Sequence, residues 1–502
     1  MFASIRLASK PLRHAHLVLG ILADGLGANG STPAVRLALP SSLSRADRDA
    51  AAQALRAPGF KADPGETIAA GEHVLLVGLG KRESLTDATF RRIGAGLVRA
   101  LDRMDIREIT MAIDPVSGRD ADPQQTARCI AEGMALANFR VDQFDGKATN
   151  RTPARGPLSI AGIDAARTRG IARGLQLAQS TNYARRLAAA PPNICTPAFV
   201  AGEARKLARS TGLKCKVIGY AEARKLGMGG LVNVGKGSDA KPCLIILEHA
   251  PKRISPRAKG VTLALVGKTM TYDTGGYSLK INNGMKGMKY DKNGGMAVLG
   301  AMHAIASMNL PVRVVALLPC AENMVSADSY RPDDIITMHN GVTVEVTNTD
   351  AEGRLILADA LSYCCRTYKP AAIVDLATLT GGVVVALGSW CAGLFCNDAA
   401  LRSALEQAAD RSGERVWSLP LWSEHRDFMR AKHADLWNSG PKRDGHPIQG
   451  AAFLSFFVDE KTPWAHIDIA GTSAVESDTD LFVTGPTGYG VRLVTEWVAG
   501  WG

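Results

Sequence analysis

The chain has 502 residues, of which 46% are hydrophobic and 21% charged, so intrinsic disorder, collagen and coiled coil are excluded for the whole chain. A chain of this length needs no disulfides for stability, and we expect two to four domains. The formal net charge is +11, and the 51 glycines exceed the usual share, which indicates many tight turns and close backbone approaches.

The first part of the chain alternates strand-like and helix-like segments. We predict buried strands at residues 16–23 and 73–80 and helices at residues 85–104 and 125–138. A polar segment with glycine and proline at residues 145–159 is typical of a domain boundary. We therefore predict an N-terminal α/β domain over residues 1–160 and a second domain over residues 161–502.

The second part alternates more cleanly. We predict strands at residues 215–219, 243–248, 261–267, 312–318, 342–346 and 371–376. We predict helices at residues 165–189, 197–210, 294–309, 354–368, 398–412 and 449–458. The alternation favours an α/β fold with a mixed, largely parallel central sheet flanked by helices, in which ligands bind beyond the carboxyl ends of strands.

Two segments could suggest a membrane or a targeting signal. Residues 376–397 carry no formal charge and are long enough to span a bilayer, but they contain four glycines and follow a buried strand. Basic residues precede the short apolar run at 17–23, which we interpret as a first strand rather than a signal peptide. We therefore expect no membrane association, no cleaved targeting peptide and a cytoplasmic location.

Neither the cysteines nor the positive net charge identifies what the protein binds. Nine scattered cysteines without a CxxC motif favour reduced, buried thiols. No run of five like charges occurs, so the net charge of +11 indicates a mildly basic surface. A surface for nucleic acid or another acidic partner is the alternative, and we keep a DNA-binding or regulatory protein as a second hypothesis.

Four carboxylates stand next to glycines where strands and helices are predicted to end: Asp273, Asp291, Asp350 and Glu352. We predict all four in loops. If they converge in a partly buried site they repel one another, and divalent cations are the natural compensation. Carboxylate oxygens suit Mg²⁺, Mn²⁺ and, with a nitrogen ligand, Zn²⁺, and two such ions can activate water for hydrolysis.

Each of these residues also has a purely structural interpretation. A single aspartate in a loop is usually a cap or turn residue, and Asp350 with Glu352 could simply cap the helix that begins near Gly353. Lys268 follows Gly267 in a GKT string, but the glycine that a phosphate-binding loop requires five residues earlier is Thr262. Lys268 and Lys280 instead add positive charge near the carboxylates, and a lysine amine can bind a metal only when a cation depresses its pKa.

Taken as a set, these strings resemble the leucine (leucyl) aminopeptidase family, two-metal cytosolic peptidases that remove N-terminal residues. The most specific string is NTDAEGRLILADAL at residues 348–361, and VGKTMTYDTGGYSLK at 266–280 matches the family's first metal loop. Further matching strings are CAENMVSADSYRPDD at 320–334, ATLTGG at 377–382, PWAHIDIAGT at 463–472 and GPTGYGVRL at 485–493. The resemblance covers nearly the whole chain.

The resemblance implies a role for each matching residue. The two metals, Zn²⁺ or Mn²⁺, would be bound by Lys268, Asp273, Asp291, Asp350 and Glu352, with Asp273 and Glu352 bridging. Lys280 would polarise the scissile carbonyl and stabilise the oxyanion. Arg354 would hold a bicarbonate ion as general base. The substrate pocket would be formed by Met288, Asn348, Thr378, Leu379 and Gly381.

The resemblance also implies the organisation of the protein and its substrate. The fold would be two α/β domains with the C-terminal one catalytic, the assembly a homohexamer, and the substrate a peptide with a free N-terminus. The chain departs from the family at Thr269, Lys292 and Met296, among other positions, without losing a ligand. These departures bear on metal affinity and substrate preference, and the intact ligand set argues against a catalytically inactive relative.

Overall fold

The computed structural model describes residues 1–10, 12, 15–23, 44–56, 59–113 and 122–502. Contacts divide the chain into two compact units. The first comprises Met1–Gln179 and Ser477–Thr484, and the second comprises Ser180–Glu476 and Gly485–Gly502. The predicted boundary between residues 160 and 161 lies just before helix α4 (Ala165–Ala189), and the division by contacts lies within that helix.

The described part of the first unit is an α/β structure. Its strands are β1 (Ile5–Leu7), β2 (His16–Leu22), β3 (Thr67–Ala70), β4 (Val74–Gly80), β5 (Glu108–Met111) and β6 (Leu158–Gly162). Its helices are α1 (Arg45–Ala54), α2 (Asp87–Met104), α3 (Pro123–Ala137) and the first part of α4. Among the described residues these strands form one sheet in the order β1-β6-β5-β2-β4-β3, parallel except for the edge pair β3–β4.

Side-chain caps fix the starts of the two long helices in this unit. The Thr86 hydroxyl accepts a hydrogen bond from the Thr89 amide at the start of α2, and the Asp122 carboxylate accepts one from the Gln124 amide at the start of α3. Such caps satisfy main-chain amides that have no partner within the helix. Both helices agree with the predicted segments within two residues at each end.

The second unit is fully described. Its strands are β7 (Lys214–Ile218), β8 (Cys243–His249), β9 (Thr262–Gly267), β10 (Thr269–Asp273), β11 (Arg313–Asn323), β12 (Ile335–Thr337), β13 (Thr343–Glu345), β14 (Ala372–Ala377), β15 (Ala392–Cys396), β16 (Val416–Ser418), β17 (Leu436–Trp437), β18 (Trp464–Asp468), β19 (Ala474–Val475) and β20 (Gly485–Pro486). Its helices are the end of α4, α5 (Pro197–Thr211), α6 (Tyr220–Lys225), α7 (Gly229–Gly235), α8 (Asn293–Ser307), α9 (Glu352–Tyr368), α10 (Gly381–Leu387), α11 (Ala399–Ser412), α12 (Ser423–Asp427), α13 (His446–Leu454) and α14 (Val491–Ala499).

The large sheet of this unit has a parallel centre. Its order within residues 180–502 is β16-β15-β18-β14-β9-β11-β8-β7, with β10 paired to the end of β11. Strands β18, β14, β9 and β11 are mutually parallel, whereas β15, β8 and β7 add antiparallel pairs toward the edges. The predicted fold class, two α/β domains with a mixed and largely parallel sheet, is confirmed.

The central strands are buried on both faces. In β9, Leu263 and Leu265 belong to one hydrophobic cluster, and the alternate residues Ala264 and Val266 belong to another. Because successive side chains of a strand point to opposite faces, the sheet separates two cores. This explains why the strand sequences are continuous apolar runs, as is typical of parallel sheets covered by helices.

Two details of the sequence prediction were wrong. Asp273 was predicted in a loop, but Thr269–Asp273 forms β10 because β11 extends to Asn323 and its second half offers a partner strand. Asp273 is therefore the last residue of a strand. Glu352 is the first residue of α9 rather than a loop residue.

The uncharged segment at residues 376–397 is not a single helix. It contains the end of β14, the short helix α10 and strand β15. Across the described residues, every helix is too short or too polar to cross a membrane.

Candidate metal centre and adjoining pocket

The predicted site residues meet at the carboxyl edge of the central parallel strands. Lys268 directly follows β9, Thr378 follows β14, and Asp468 is the last residue of β18. Parallel strands end at the same edge of a sheet, so the chain segments that leave them come together there, as expected for ligand sites in α/β folds. Helix α9 begins at this edge and contributes Glu352.

Carboxylates form a compact cluster at this edge. Asp273, Asp350 and Glu352 each offer an oxygen within 4.8 Å of the other two. Asp291 joins them through the amine of Lys268, which lies 2.8 Å from Asp291 Oδ1 and 3.0 Å from Glu352 Oε1. The structure thus brings together all five residues predicted as metal ligands.

Lys280 lies on the more open side of the cluster. Its amine is 2.9 Å from Asp273 Oδ2 and also forms an ion pair with Asp350 Oδ1. It is less buried than Lys268.

The charges in the cluster perturb one another. Burial, reinforced by the neighbouring carboxylates, raises the pKa of Asp291 to about 8 and that of Asp350 to about 7. Burial by itself would lower the pKa of Lys268 and of Lys280, but the adjacent carboxylates raise both values above the ordinary lysine range. When all four acids are ionised they outnumber the two amines, and divalent cations would neutralise this excess negative charge.

Buried carboxylate oxygens without a partner show that the donor set fits metal ions. Asp291 Oδ2 and Glu352 Oε2 are buried and have no hydrogen-bond partner. Leaving such charged oxygens without a partner is costly, and a hard or borderline divalent cation is the group that these oxygens bind. The alternative role of Glu352 as a helix cap is not observed, since the start of α9 has no side-chain cap hydrogen bond.

Asp273 is held in place by two hydrogen-bond donors. Its Oδ1 accepts from the Gly275 amide and from Asn323 Nδ2, each at 2.8 Å. Gly275 has a φ of +84°, a conformation that favours glycine. Sequence reasoning assigned no role to Asn323, although it lies within the string CAENMV that carries part of the family resemblance.

The first turn of helix α9 packs closely against the side chain of Lys268 at Gly353. A Cβ atom on Gly353 would lie 2.4 Å from Lys268 Cε. Any larger residue would push the Lys268 amine away from its contacts with Asp291 and Glu352, which accounts for the glycine between Glu352 and Arg354.

Arg354 lies in the first turn of α9 and is buried. Its Nη1 donates to the Asn438 carbonyl at 2.8 Å, whereas its Nε is buried without a partner. Burial lowers the pKa of this guanidinium to about 10, although Glu352 and Asp468 oppose the effect. A buried guanidinium with an unused N–H group is suited to a small planar anion.

The predicted pocket residues are connected to the cluster in different ways. Thr378 Oγ1 donates to Asp291 Oδ1 at 2.7 Å, and Asn348 Oδ1 accepts from the Asp350 amide at 2.9 Å. Met288 opens the short 3₁₀ turn that ends just before Asp291. The remaining two lie on the segment after Thr378: Leu379 is half-buried and Gly381 is the exposed first residue of α10.

The three named departures from the family pattern, Thr269, Lys292 and Met296, lie in the interior. Thr269 is buried and its hydroxyl donates to the Gly267 carbonyl at 2.9 Å, and Met296, on α8, packs in the core. Lys292 is fully buried. Its amine donates hydrogen bonds to the Ala190 carbonyl, at 2.9 Å, and to the Lys289 carbonyl. Burial lowers the pKa of Lys292 to about 8.

Carboxylates and lysines gathered into a candidate metal centre at the edge of a parallel sheet are typical of a metal-dependent hydrolase. The chain matches the model of the cytosol aminopeptidase family, with the catalytic domain over residues 182–495 and the N-terminal domain over residues 42–147. The chain belongs to the cytosol aminopeptidase family.

Relatives and solved structures agree with this assignment. A probable cytosol aminopeptidase of Roseiflexus castenholzii is 42% identical over 433 residues, which is 85% of this chain and 87% of the relative. A probable cytosol aminopeptidase of Aquifex aeolicus is 39% identical, covering 91% of this chain and 92% of the relative. The bottromycin maturation enzyme BotP in complex with Mn has a similar structure, with a TM-score of 0.82, 33% identity and coverage of 97% of this chain and 99% of BotP.

Proposed function

We propose that this chain is a metal-dependent aminopeptidase that releases N-terminal residues, leucine-like ones among them, from peptides. The observation that carries the proposal is the cluster of buried carboxylates with unpaired oxygens on Asp291 and Glu352. Family membership supports it, as does the complex that the similar enzyme BotP forms with Mn. The catalytic apparatus lies within residues 161–502, the domain that we propose to be the metallopeptidase domain.

The metal ligands are the five residues that converge at the sheet edge: Lys268, Asp273, Asp291, Asp350 and Glu352. Bound there, two divalent cations, Zn²⁺ or Mn²⁺, would supply Lewis-acid activation of the scissile carbonyl and of water, and a position for the free α-amine of the substrate. Lys268 would bind as the neutral amine, because bound cations would lower its pKa.

Three groups of this chain act on the reacting atoms or on the substrate. Lys280 donates a hydrogen bond to the oxyanion that develops from the scissile carbonyl. Arg354 would hold a bicarbonate ion, which would supply a general base for the attacking water. The pocket for the N-terminal side chain and main chain is formed by Met288, Asn348, Thr378, Leu379 and Gly381.

Chelation tests the proposal. The wild-type protein should release leucine from leucine amide, lose this activity on removal of metal, and regain it with Mn²⁺ or Zn²⁺. N-acetylleucine amide is the matched control, since it lacks the free amine and should not be cleaved. Activity that persists in a sample shown to be free of metal, or a folded protein that stays inactive with metal restored, would refute the proposal.

We further propose that the protein acts in the cytoplasm as a homohexamer. Exposed apolar side chains on and after α10 support self-association, since Val385 is 90% exposed and Trp390 is 78% exposed. Light scattering of the full chain should give a hexamer mass, and a monomer at micromolar concentration would contradict this. The DNA-binding hypothesis receives no support from the family or the relatives.

A further inference from the structure

Asp468 is a fully buried carboxylate whose hydrogen bonds reach the segment that follows β14. Its Oδ1 accepts from the Leu379 amide at 3.0 Å and from the Ala470 amide at 3.2 Å, and its Oδ2 accepts from Thr380 Oγ1 at 2.7 Å. It is 0% exposed. One side chain therefore fixes both the main chain at Leu379 and the side chain at Thr380.

The same segment is held from its other end by the metal centre. The Thr378 carbonyl accepts from Lys268 Nζ at 2.8 Å, and Thr378 Oγ1 donates to Asp291 Oδ1 at 2.7 Å. Residues 378–380, which we call the pocket loop, are thus held at Thr378 by the proposed metal ligands and at the next two residues by Asp468. The two attachments are chemically separate.

Thr380 links Asp468 to helix α10. Its Oγ1 accepts from the Val383 amide at 3.2 Å and so caps the start of this helix. Gly381, the first residue of α10, directly follows this cap. Asp468 therefore reaches Leu379 directly and Gly381 through Thr380, and both residues belong to the proposed pocket.

The strand that presents Asp468 is rigidly anchored. Strand β18 pairs with β14, with Asp468 opposite Ala377. The side chain of Asp375, on β14, also links the two strands. Its Oδ1 lies 2.6 Å from His466 Nδ1, and its Oδ2 accepts a hydrogen bond from Trp464 Nε1 at 2.7 Å. A residue on such a frame can define the position of a loop.

We propose that Asp468 is a positioning residue that sets the shape of the pocket for the substrate's N-terminal side chain, and hence its selectivity. The inference rests on the proposed aminopeptidase function. The hydrogen bonds of Asp468 go to the pocket loop and to Ala470 rather than to the carboxylate cluster. Its removal should change side-chain recognition while the Lys268–Thr378 contact and the metal ligands stay in place.

Asp468→Ala is the direct test. The variant leaves the Leu379 amide and the Thr380 hydroxyl without their acceptor, so the pocket loop should shift. We expect KM for leucine amide to rise by roughly tenfold and the preference for leucine over alanine amide to fall by about as much, with kcat changed much less. Bound metal per chain should equal that of the wild type.

Two further variants separate positioning from mere loss of stability. Asp468→Asn keeps an oxygen for the two amides and an NH₂ group for the Thr380 hydroxyl, so it should restore wild-type selectivity. Asp398→Ala is the matched control, because Asp398 caps the remote helix α11 through the Leu401 amide. It should lower the melting temperature without changing selectivity. If Asp468→Ala does not fold, Thr380→Val replaces it as the test. This variant removes one of the Asp468 contacts and should shift selectivity in the same direction.

Hydrogen exchange of the metal-free proteins provides a readout that does not depend on activity. The peptide covering residues 377–384 should exchange faster in Asp468→Ala than in wild type, Asp468→Asn or Asp398→Ala. If Asp468→Ala leaves both the exchange rate and the substrate selectivity unchanged, the inference is overturned. It is also overturned if the variant loses bound metal and its kcat falls equally for every substrate. An inactive wild-type protein would refute the proposed function, whereas the exchange result would still decide whether Asp468 holds the loop.

Discussion

The amine of Lys268 donates a hydrogen bond to the Thr378 carbonyl at 2.8 Å while it contacts Asp291 and Glu352. One buried side chain thus joins the carboxylate cluster to the pocket loop. Because Lys268 leaves β9 and Thr378 leaves the adjacent strand β14, the contact requires both strands in parallel register. The proposed metal site and the proposed substrate pocket are therefore built on the same two strands.

Lys280→Ala tests the proposed oxyanion role. If the ammonium stabilises charge that develops only in the transition state, its loss should lower kcat by about 10²- to 10³-fold. Metal content, measured by atomic emission, should not change. Lys286→Ala is the control, since Lys286 is an exposed lysine a few residues away. Unaltered turnover in Lys280→Ala would show that this role is wrong.

Arg354→Met tests the bicarbonate site. Wild-type activity should fall in carbonate-free buffer and recover when bicarbonate is added, because the anion supplies the base. The variant should have lower kcat, by roughly 10²-fold, and should not respond to bicarbonate. Equal responses of both proteins to bicarbonate would contradict the assignment of Arg354.

The raised acid pKa values predict that metal affinity depends on pH. In the metal-free protein Asp291 and Asp350 titrate near pH 8 and 7, above the unfolded value of 3.8. Between pH 3.8 and these folded values the folded state binds more protons than the unfolded state. The stability that the two groups contribute is therefore full below about pH 4 and is lost progressively as pH rises to about 7 to 8. Metal binding must displace those protons, so Mn²⁺ affinity should increase from pH 6 to 8.

Calorimetry in two buffers of different ionisation enthalpy checks this expectation. Mn²⁺ binding at pH 6.5 should release protons, and less should be released at pH 8.5. An affinity that does not vary with pH would contradict the proposed titration of the cluster.

Lys292→Met tests the effect of the buried amine. Lys292 is fully buried, and its amine contacts main-chain carbonyls. Its folded pKa of about 8 lies below the unfolded value of 10.5. Between these values the unfolded state binds more protons, so wild-type stability gains with rising pH, by about 3 kcal/mol relative to Lys292→Met.

Urea denaturation at pH 7 and pH 10 measures this difference. At pH 7 the wild type bears the full cost of burying a charged amine. The free energy of unfolding of the wild type, relative to that of Lys292→Met, should therefore be higher at pH 10 than at pH 7. Lys286→Met, a change at an exposed lysine, should show no such shift. A gap that is the same at both pH values would show that burial does not lower the pKa of Lys292.

The fold class and most elements of the catalytic unit could be predicted from the amino-acid sequence. Strands such as β9 and β14 are apolar because helices cover both faces, and helix α4 was predicted at its observed bounds, residues 165–189. Local patterns carry this information because burial repeats every two residues in strands and about every 3.6 in helices. The strings around Asp273 and Asp350 likewise pointed to carboxylates that the structure brings together in one cluster.

The meeting of distant groups could not be predicted in this way and follows from the three-dimensional fold. Nothing local to Thr269–Asp273 shows that it is a strand, because its partner is the distant end of β11. Asn323 and Asp468 had no predicted role, since their importance lies in hydrogen bonds to Asp273 and to Leu379, far away along the chain. The parallel sheet brings its strand ends to one edge, and that long-range pairing, which no short segment encodes, assembles the carboxylates, the lysines and the pocket loop into one site.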